Sequence, residues 1–228
     1  MARIARVVFA GIPHHVTQRG NRRMETFFCD EDYQAYLDLM AERCRHFGVA
    51  VWAYCLMPNH VHLVAVPATA DGLARAIGDA HRRYTRRVNF REQWRGYLWQ
   101  GRFASFPMDE RYLMAAARYV ELNPVRAKMC RVPWAYTWSS AAAHGRGKDD
   151  VLVEAGPLLE RAGMPWRDFL LEGLDADDAE AIRRCERTGR PLGSSRFVER
   201  LERALGRPLR RQKPGPKPTP KPRRPTRR

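Results

Sequence analysis

Two histidines separated by one aliphatic residue, in Met57-Pro58-Asn59-His60-Val61-His62-Leu63-Val64, constrain this chain more than any other stretch. In a β-strand the side chains alternate faces, so His60 and His62 share one side while Val61 and Leu63 point to the other, into a core. One face holds metal ligands and the other anchors them. A His-x-His pair alone is a weak signal, because strand histidines are more often solvated or satisfied by neighbours. It gains weight from Arg118-Tyr119-Val120-Glu121-Leu122-Asn123-Pro124-Val125-Arg126-Ala127, where Tyr119 and Asn123 supply a phenol and an amide oxygen at helical spacing.

The 228 residues suffice for one substantial core with an appendage. Charge points to a polyanionic partner: 41 Lys and Arg stand against 25 Asp and Glu, a net +16. The distribution is uneven, at +9 over residues 1–147, −3 over 148–206 and +10 over 207–228. The three blocks, 1–147, 148–206 and 207–228, therefore differ in kind and mark a main domain, a helical extension and a tail. Most of the cations are Arg, whose planar fork binds phosphate bidentately, although a GC-rich genome also inflates Arg. Cys29, Cys44, Cys55, Cys130 and Cys185 form no close pairs, which argues against a disulfide framework or a zinc ribbon and fits a reducing cytoplasm, with nucleoid association. No apolar run reaches the length of a membrane span, and the N-terminus lacks the apolar segment of a signal peptide.

Taken in order, the chain predicts a strand at 14–19 leaving through a basic turn at Gly20-Asn21-Arg22-Arg23. A helix capped by Asp30 follows, with Tyr33, Tyr36, Leu37, Met40, Cys44 and Phe47 at the 3.6 period and Gly48 at its end. Residues 49–57 read as a central strand, turned back by Pro58-Asn59 into a strand over 60–66. Asp71 opens a helix with Leu73, Ile77, Ala80, Tyr84 and Val88 on one side and Arg82, Arg83, Arg86 and Arg87 on the other. A fourth strand is expected over 97–106, with Gly101 marking a bulge or a close approach, and Trp94, Tyr97, Trp99 and Phe103 chiefly as packing. Asp109 caps a last helix that stops near Asn123, ahead of Pro124. The order β-α-β-β-α-β-α is an α+β, ferredoxin-like split unit: an antiparallel sheet with helices on one face and an added helix that carries Tyr119. Trp134, Tyr136 and Trp138 seal its edge, and residues 145–150 read as a linker. Short helical patterns fill 151–206, and a Pro/Arg/Lys-rich disordered tail begins at Arg207.

Two imidazoles and one amide oxygen make an incomplete shell that leaves a divalent ion open to phosphate oxygens. Tyr119 is the candidate nucleophile; a free phenol is ionised only to about 0.1% at pH 7, so it needs the metal, a base or a nearby Arg. Candidate phosphate contacts are Arg19, Arg22 and Arg23 after the first strand, Arg82, Arg83, Arg86 and Arg87, and Arg126 beyond the last helix.

These residues resemble the single-tyrosine HUH transposases, most of all the REP-associated tyrosine transposases of bacteria. The resemblance spans roughly residues 1–145 and is carried by His15-Val16-Thr17-Gln18-Arg19-Gly20-Asn21, by Ala53-Tyr54-Cys55-Leu56-Met57-Pro58-Asn59-His60-Val61-His62-Leu63, by Tyr119 to Ala127 and by Trp138-Ser139-Ser140. It implies a Mg or Mn ion, cleavage of single-stranded DNA near REP-like hairpins, and a 5′-phosphotyrosine intermediate. Carried over, His60 and His62 are metal ligands, Asn123 a third ligand and Tyr119 the nucleophile. His14 stands where many relatives have Tyr. The long tail fits a monomer with tail-modulated activity, with a homodimer as the alternative.

Two competing readings stand beside this one. A noncatalytic nucleic-acid binder would carry aromatic residues on an open sheet face, and an HUH replication or mobilisation initiator would share the chemistry at a different DNA site. A third possibility concerns the metal: a two-residue hairpin loop pairs Cys55 with His62, adding a thiol to the histidine face and making zinc the competing ion.

Overall fold

Alternation at 14–19 produces the first strand, β1 (His14–Arg19), in a computed structural model that describes residues 4–211. Most of the tail falls outside the described residues. Its first part, 207–211, is held: the Leu209 side chain is buried and the Arg207 guanidinium donates to the carbonyls of Ala5 and Arg6. Residues 207–211 are therefore part of the fold, against the expectation of disorder from Arg207 on, because Leu209 is an apolar anchor.

The helix α1 (Asp30–His46) begins with Asp30 itself, and Cys29 occupies the cap position. Asp32 instead turns inward, where its carboxylate accepts from the Phe28 amide and from the Arg91 guanidinium. Gly48 follows the helix at φ +61°, a left-handed turn that suits a residue without a side chain. The central hairpin is β2 (Val49–Met57) and β3 (His60–Pro67), paired so that Met57 faces His60 and Cys55 faces His62. Pro58 and Asn59 are thus its two-residue loop. The helix α2 (Gly72–Arg91) runs back, burying Leu73, Ile77, Ala80, His81, Tyr84 and Val88 as its periodicity requires.

The fourth strand, β4 (Ala104–Pro107), is shorter than the run predicted over 97–106. Gly101 at φ +67° breaks the extension, and residues 98–100 bond the end of β1 instead: Asn21 donates to the Leu98 carbonyl and Gln100 to that of Arg19. Trp99 and Phe103 are buried, whereas Trp94 and Tyr97 are exposed. Asp109 caps α3 (Glu110–Glu121) through the Tyr112 amide, as its position predicts.

All the pairings are antiparallel and the strand order is β2-β3-β1-β4, the arrangement expected of the split unit. Its two faces have separate cores. Val16, Tyr54, Leu56, Val61 and Leu63 pack with α1 and α2, while Cys55, Met57, Val64 and Phe106 pack with α3.

Beyond α3 come α4 (Asn123–Arg126), α5 (Ala141–Arg146), α6 (Gly156–Ala162), α7 (Trp166–Leu171), α8 (Ala176–Thr188) and α9 (Ser195–Leu205). Leu158, Trp166, Phe169, Leu170, Ile182 and Cys185 join the core on the α3 face. Neither face of the sheet is open, so the platform that a sheet-based RNA binder needs is absent among the described residues. The segment 145–150 is the end of α5 and a bonded turn rather than a free linker. Asp150 caps the amides of Leu152 and Val153 and accepts from the Tyr54 hydroxyl at 2.7 Å. The outer edge of β2 is covered too: Leu56 donates to the Trp138 carbonyl, Tyr136 donates to the Leu56 carbonyl, and Trp138 stacks on Tyr33. Among the described residues no helix is long and apolar enough to cross a membrane.

Candidate active site

Strand alternation puts His60 and His62 on the α3 face, with Val61 and Leu63 fully buried on the other. The two imidazole centres are 5.0 Å apart. Tyr119 reaches them from α3, its ring 5.6 Å from that of His62, and is almost fully buried. The nucleophile and the histidine pair expected from the sequence therefore meet.

Asn123 does not share a helix with Tyr119. The helix ends at Glu121, Leu122 sits at φ −82°, ψ −1°, and Asn123 opens the separate turn α4. The continuous helical phase that linked the two residues is interrupted there. Cys55 does lie opposite His62, but burial pushes its thiol well above the usual range and its Sγ rests 3.6 Å from the Met57 sulfur.

Two residues that no motif singled out as ligands complete the centre. His15, fully buried on β1, holds its ring nearly parallel to that of His62, the planes 7° apart, with its Nε2 3.0 Å from His62 Nδ1. Glu186 of α8 brings Oε1 to 3.5 Å from His62 Nδ1 and 3.7 Å from His15 Nδ1. His15, His62 and Glu186 each offer a donor atom within 4.8 Å of the others. Antiparallel pairing on the histidine face was the signal for His15, two residues before Thr17, which faces His62. Glu186 had none, because nothing local distinguishes it from other acids on an amphipathic helix.

Burial dominates the electrostatics. It lowers His60 to about 4 and His15 to about 3, and holds His62 well below the ordinary value, with neighbouring histidines and Arg126 adding to the effect there. All three are neutral bases near pH 7, the form that binds metal. Glu186 is raised to about 7 by burial, against the opposing pull of Arg19, Arg126 and Arg183. Burial and Glu186 raise the Tyr119 phenol, while Arg126 and a hydrogen bond from Arg183 pull it down.

The remaining arginines divide between two places. Arg19 and Arg23 line a cleft of ≈ 570 Å³ together with Thr17, Arg102, Glu186 and Arg187, beside the histidines. Arg22 is exposed in the turn before it. Arg83, Arg86 and Arg87 line a groove with Phe90 and residues of α1, on the far side of the sheet from Tyr119. Arg82 and Arg83 are paired to Asp79.

Residues 8–123 match the family model described as "Transposase IS200 like". Among curated proteins, none matches the chain. A solved structure of a REP-associated tyrosine transposase bound to a REP hairpin is similar at 18% identity and a TM-score of 0.55, over 68% of this chain and 92% of that one. A protein of Deinococcus radiodurans R1 assigned as a transposase has 20% identity and a TM-score of 0.38 over 53% of this chain and 96% of its own, a likeness too slight to bear on the fold. With the family model spanning half of the sequence and the sheet order matching the expected unit, the chain belongs to the IS200-like transposase family.

Proposed function

We propose that the protein is a metal-dependent single-stranded DNA endonuclease and strand transferase that cleaves beside DNA hairpins through a 5′-phosphotyrosine intermediate. The observation that carries this reading is the approach of the buried Tyr119 ring to His62, whose imidazole centre lies 5.0 Å from that of His60. Family membership supports DNA cleavage, and the hairpin in the similar solved structure supports the class of substrate.

The donor set suits a divalent ion. Neutral imidazoles stand beside a carboxylate, and Glu186 Oε1 and His15 Nδ1 are buried without a hydrogen-bond partner, a signature of a site built for more than packing. His60 and His62 would hold the ion, with Asn123 as a third ligand, and mixed N/O donors suit Mg or Mn. Bound there, such an ion supplies Lewis-acid polarisation of a phosphodiester.

The chain's own residues then divide the work. Tyr119 Oη forms the new bond to phosphorus, the bond from phosphorus to the 3′ oxygen breaks, and that oxygen leaves as a hydroxyl once it takes a proton. The phenol must lose its proton, and the guanidinium groups of Arg126 and Arg183 favour the phenolate. Because the phosphotyrosine link keeps a diester, a DNA hydroxyl can reverse the step and rejoin strands without ATP. Arg19, Arg22 and Arg23 hold the strand near the histidines, while Arg82, Arg83, Arg86 and Arg87 contact DNA that wraps past α2.

Incubation with a panel of labelled single-stranded hairpins and Mg or Mn tests the reading. The expected product is a metal-dependent, denaturant-stable protein–DNA adduct with a matching cleaved strand.

A further inference from the structure

The direction of the hydrogen bonds behind the two motif histidines can be read from their surroundings. His60 Nδ1 lies 2.6 Å from Asn59 Oδ1, while Asn59 Nδ2 donates to the Arg23 carbonyl at 3.0 Å. That second bond fixes which end of the amide is oxygen, so His60 must carry its proton on Nδ1. Its Nε2 keeps a lone pair.

His62 Nδ1 faces His15 Nε2 at 3.0 Å, a hydrogen-bond distance at which one nitrogen donates and the other accepts. The other end of His15 decides which. His15 Nδ1 and Glu186 Oε1 are buried, lack hydrogen-bond partners and face each other at 3.7 Å. With Glu186 ionised, a His15 that donated through Nε2 would aim a nitrogen lone pair at a buried carboxylate oxygen, which costs energy on both sides. With the proton on Nδ1, that N–H faces Glu186, and Nε2 accepts from His62.

We propose that His15 and Glu186 are positioning residues which hold His62 as its Nδ1–H tautomer, so that His60 and His62 both present Nε2 lone pairs. A helix of the C-terminal extension thereby sets the ligand chemistry of a strand in the nuclease core. Hydrogen-bonded partners of this kind fix the ring orientation and raise the basicity of a ligating histidine, and their loss typically costs 10–100-fold in metal affinity. The inference rests on the metal-site reading above, but its first test does not need a metal.

Long-range ¹H–¹⁵N correlation of the imidazoles in the metal-free full chain reports the tautomer of His62 directly. The expected result is a protonated Nδ1 and an unprotonated Nε2, for His62 as for His60. His15→Phe should release His62 toward the Nε2–H form and weaken Mn²⁺ binding, followed by EPR, by about tenfold or more, with His15→Gln restoring part of both by supplying an acceptor oxygen. Glu186→Leu should act in the same direction. An Nε2–H tautomer of His62 in the wild-type chain would overturn the proposal whatever the variants do. So would Mn²⁺ binding that survives His60→Ala but not His15→Phe, since the ion would then sit among His15, His62 and Glu186 themselves. If the wild-type chain bound no Mn²⁺ yet showed the Nδ1–H tautomer, the metal-site reading would fail and the hydrogen-bond relay would stand.

Discussion

The guanidinium carbon of Arg126 lies 4.1 Å from the centre of the Tyr119 ring, so a permanent cation covers the face of the one phenol that meets the histidine pair. Burial and the Glu186 carboxylate disfavour the phenolate, and Arg126 and Arg183 oppose them. Arg126→Ala should therefore slow adduct formation on the order of tenfold. Single-turnover cleavage measured against pH checks this. The variant should recover rate as pH rises, whereas a residue that served only as a phosphate contact would lose hairpin affinity and leave the pH profile in place.

Asn123 opens a new helical turn after the break at Leu122, so its position does not follow from the phase of α3. As a ligand it should tolerate Gln or Asp with partial activity, and Asn123→Ala should raise the Mn²⁺ requirement for cleavage about tenfold with little change in melting temperature. As a turn former only, Ala would cost about 1 kcal/mol of stability and leave the metal titration alone. A metal titration of cleavage beside a melting curve separates the two.

Glu121 is fully buried and collects three donors: Ser140 Oγ at 2.5 Å, Trp166 Nε1 at 2.7 Å, and His144 Nδ1 at 2.6 Å. It ties α3 to α5 and α7 two residues from Tyr119. Glu121→Ala leaves Trp166 Nε1 and His144 Nδ1 unpaired in the interior, while Ser140 Oγ keeps its bonds to the Tyr54 backbone, and should cost about 3 kcal/mol, a fall of roughly 6–12 °C in melting temperature. A loss below 1 kcal/mol in urea unfolding would show that water replaces the carboxylate.

His81 is buried against Tyr36, whose hydroxyl lies 2.9 Å from its Nε2, and burial lowers its pKa from 6.5 to about 3. The unfolded chain takes up a proton below 6.5 that the fold refuses until about 3, so the contribution to stability is intact above 6.5 and lost as pH falls through that window. At pH 5.5 the loss is roughly 1.4 kcal/mol for such a histidine. His81→Gln should make stability, measured by urea midpoints between pH 7 and pH 4.5, fall less steeply on acidification; an unchanged slope would assign the acid sensitivity to other groups.

Much of this architecture was legible because it depends on local rules. Alternation gave the faces of β3, the Pro58-Asn59 loop gave the pairing of Cys55 with His62, and Asp109 announced α3. What stayed hidden depends on distant pieces of chain. The strand over 97–103 failed because Gly101 and the end of β1 compete for its backbone, and the inward turn of Asp32 depends on Arg91, 59 residues away. His15 joined the site through strand pairing rather than through a spacing of its own. Glu186, Arg183 and the anchors of the extension became visible only once α8 was seen packed against α3 and β4.

The most direct measurement is the identity of the residue joined to DNA. After reaction with a cleavable hairpin in Mg or Mn, nuclease trimming and tandem mass spectrometry should find a nucleotide phosphate on the peptide containing Tyr119. Tyr119→Phe should yield no adduct while still binding the hairpin, and His60→Ala and His62→Ala should form none at limiting metal. A nucleotide on any other residue, or hairpin cleavage by Tyr119→Phe at the wild-type rate, would contradict the account.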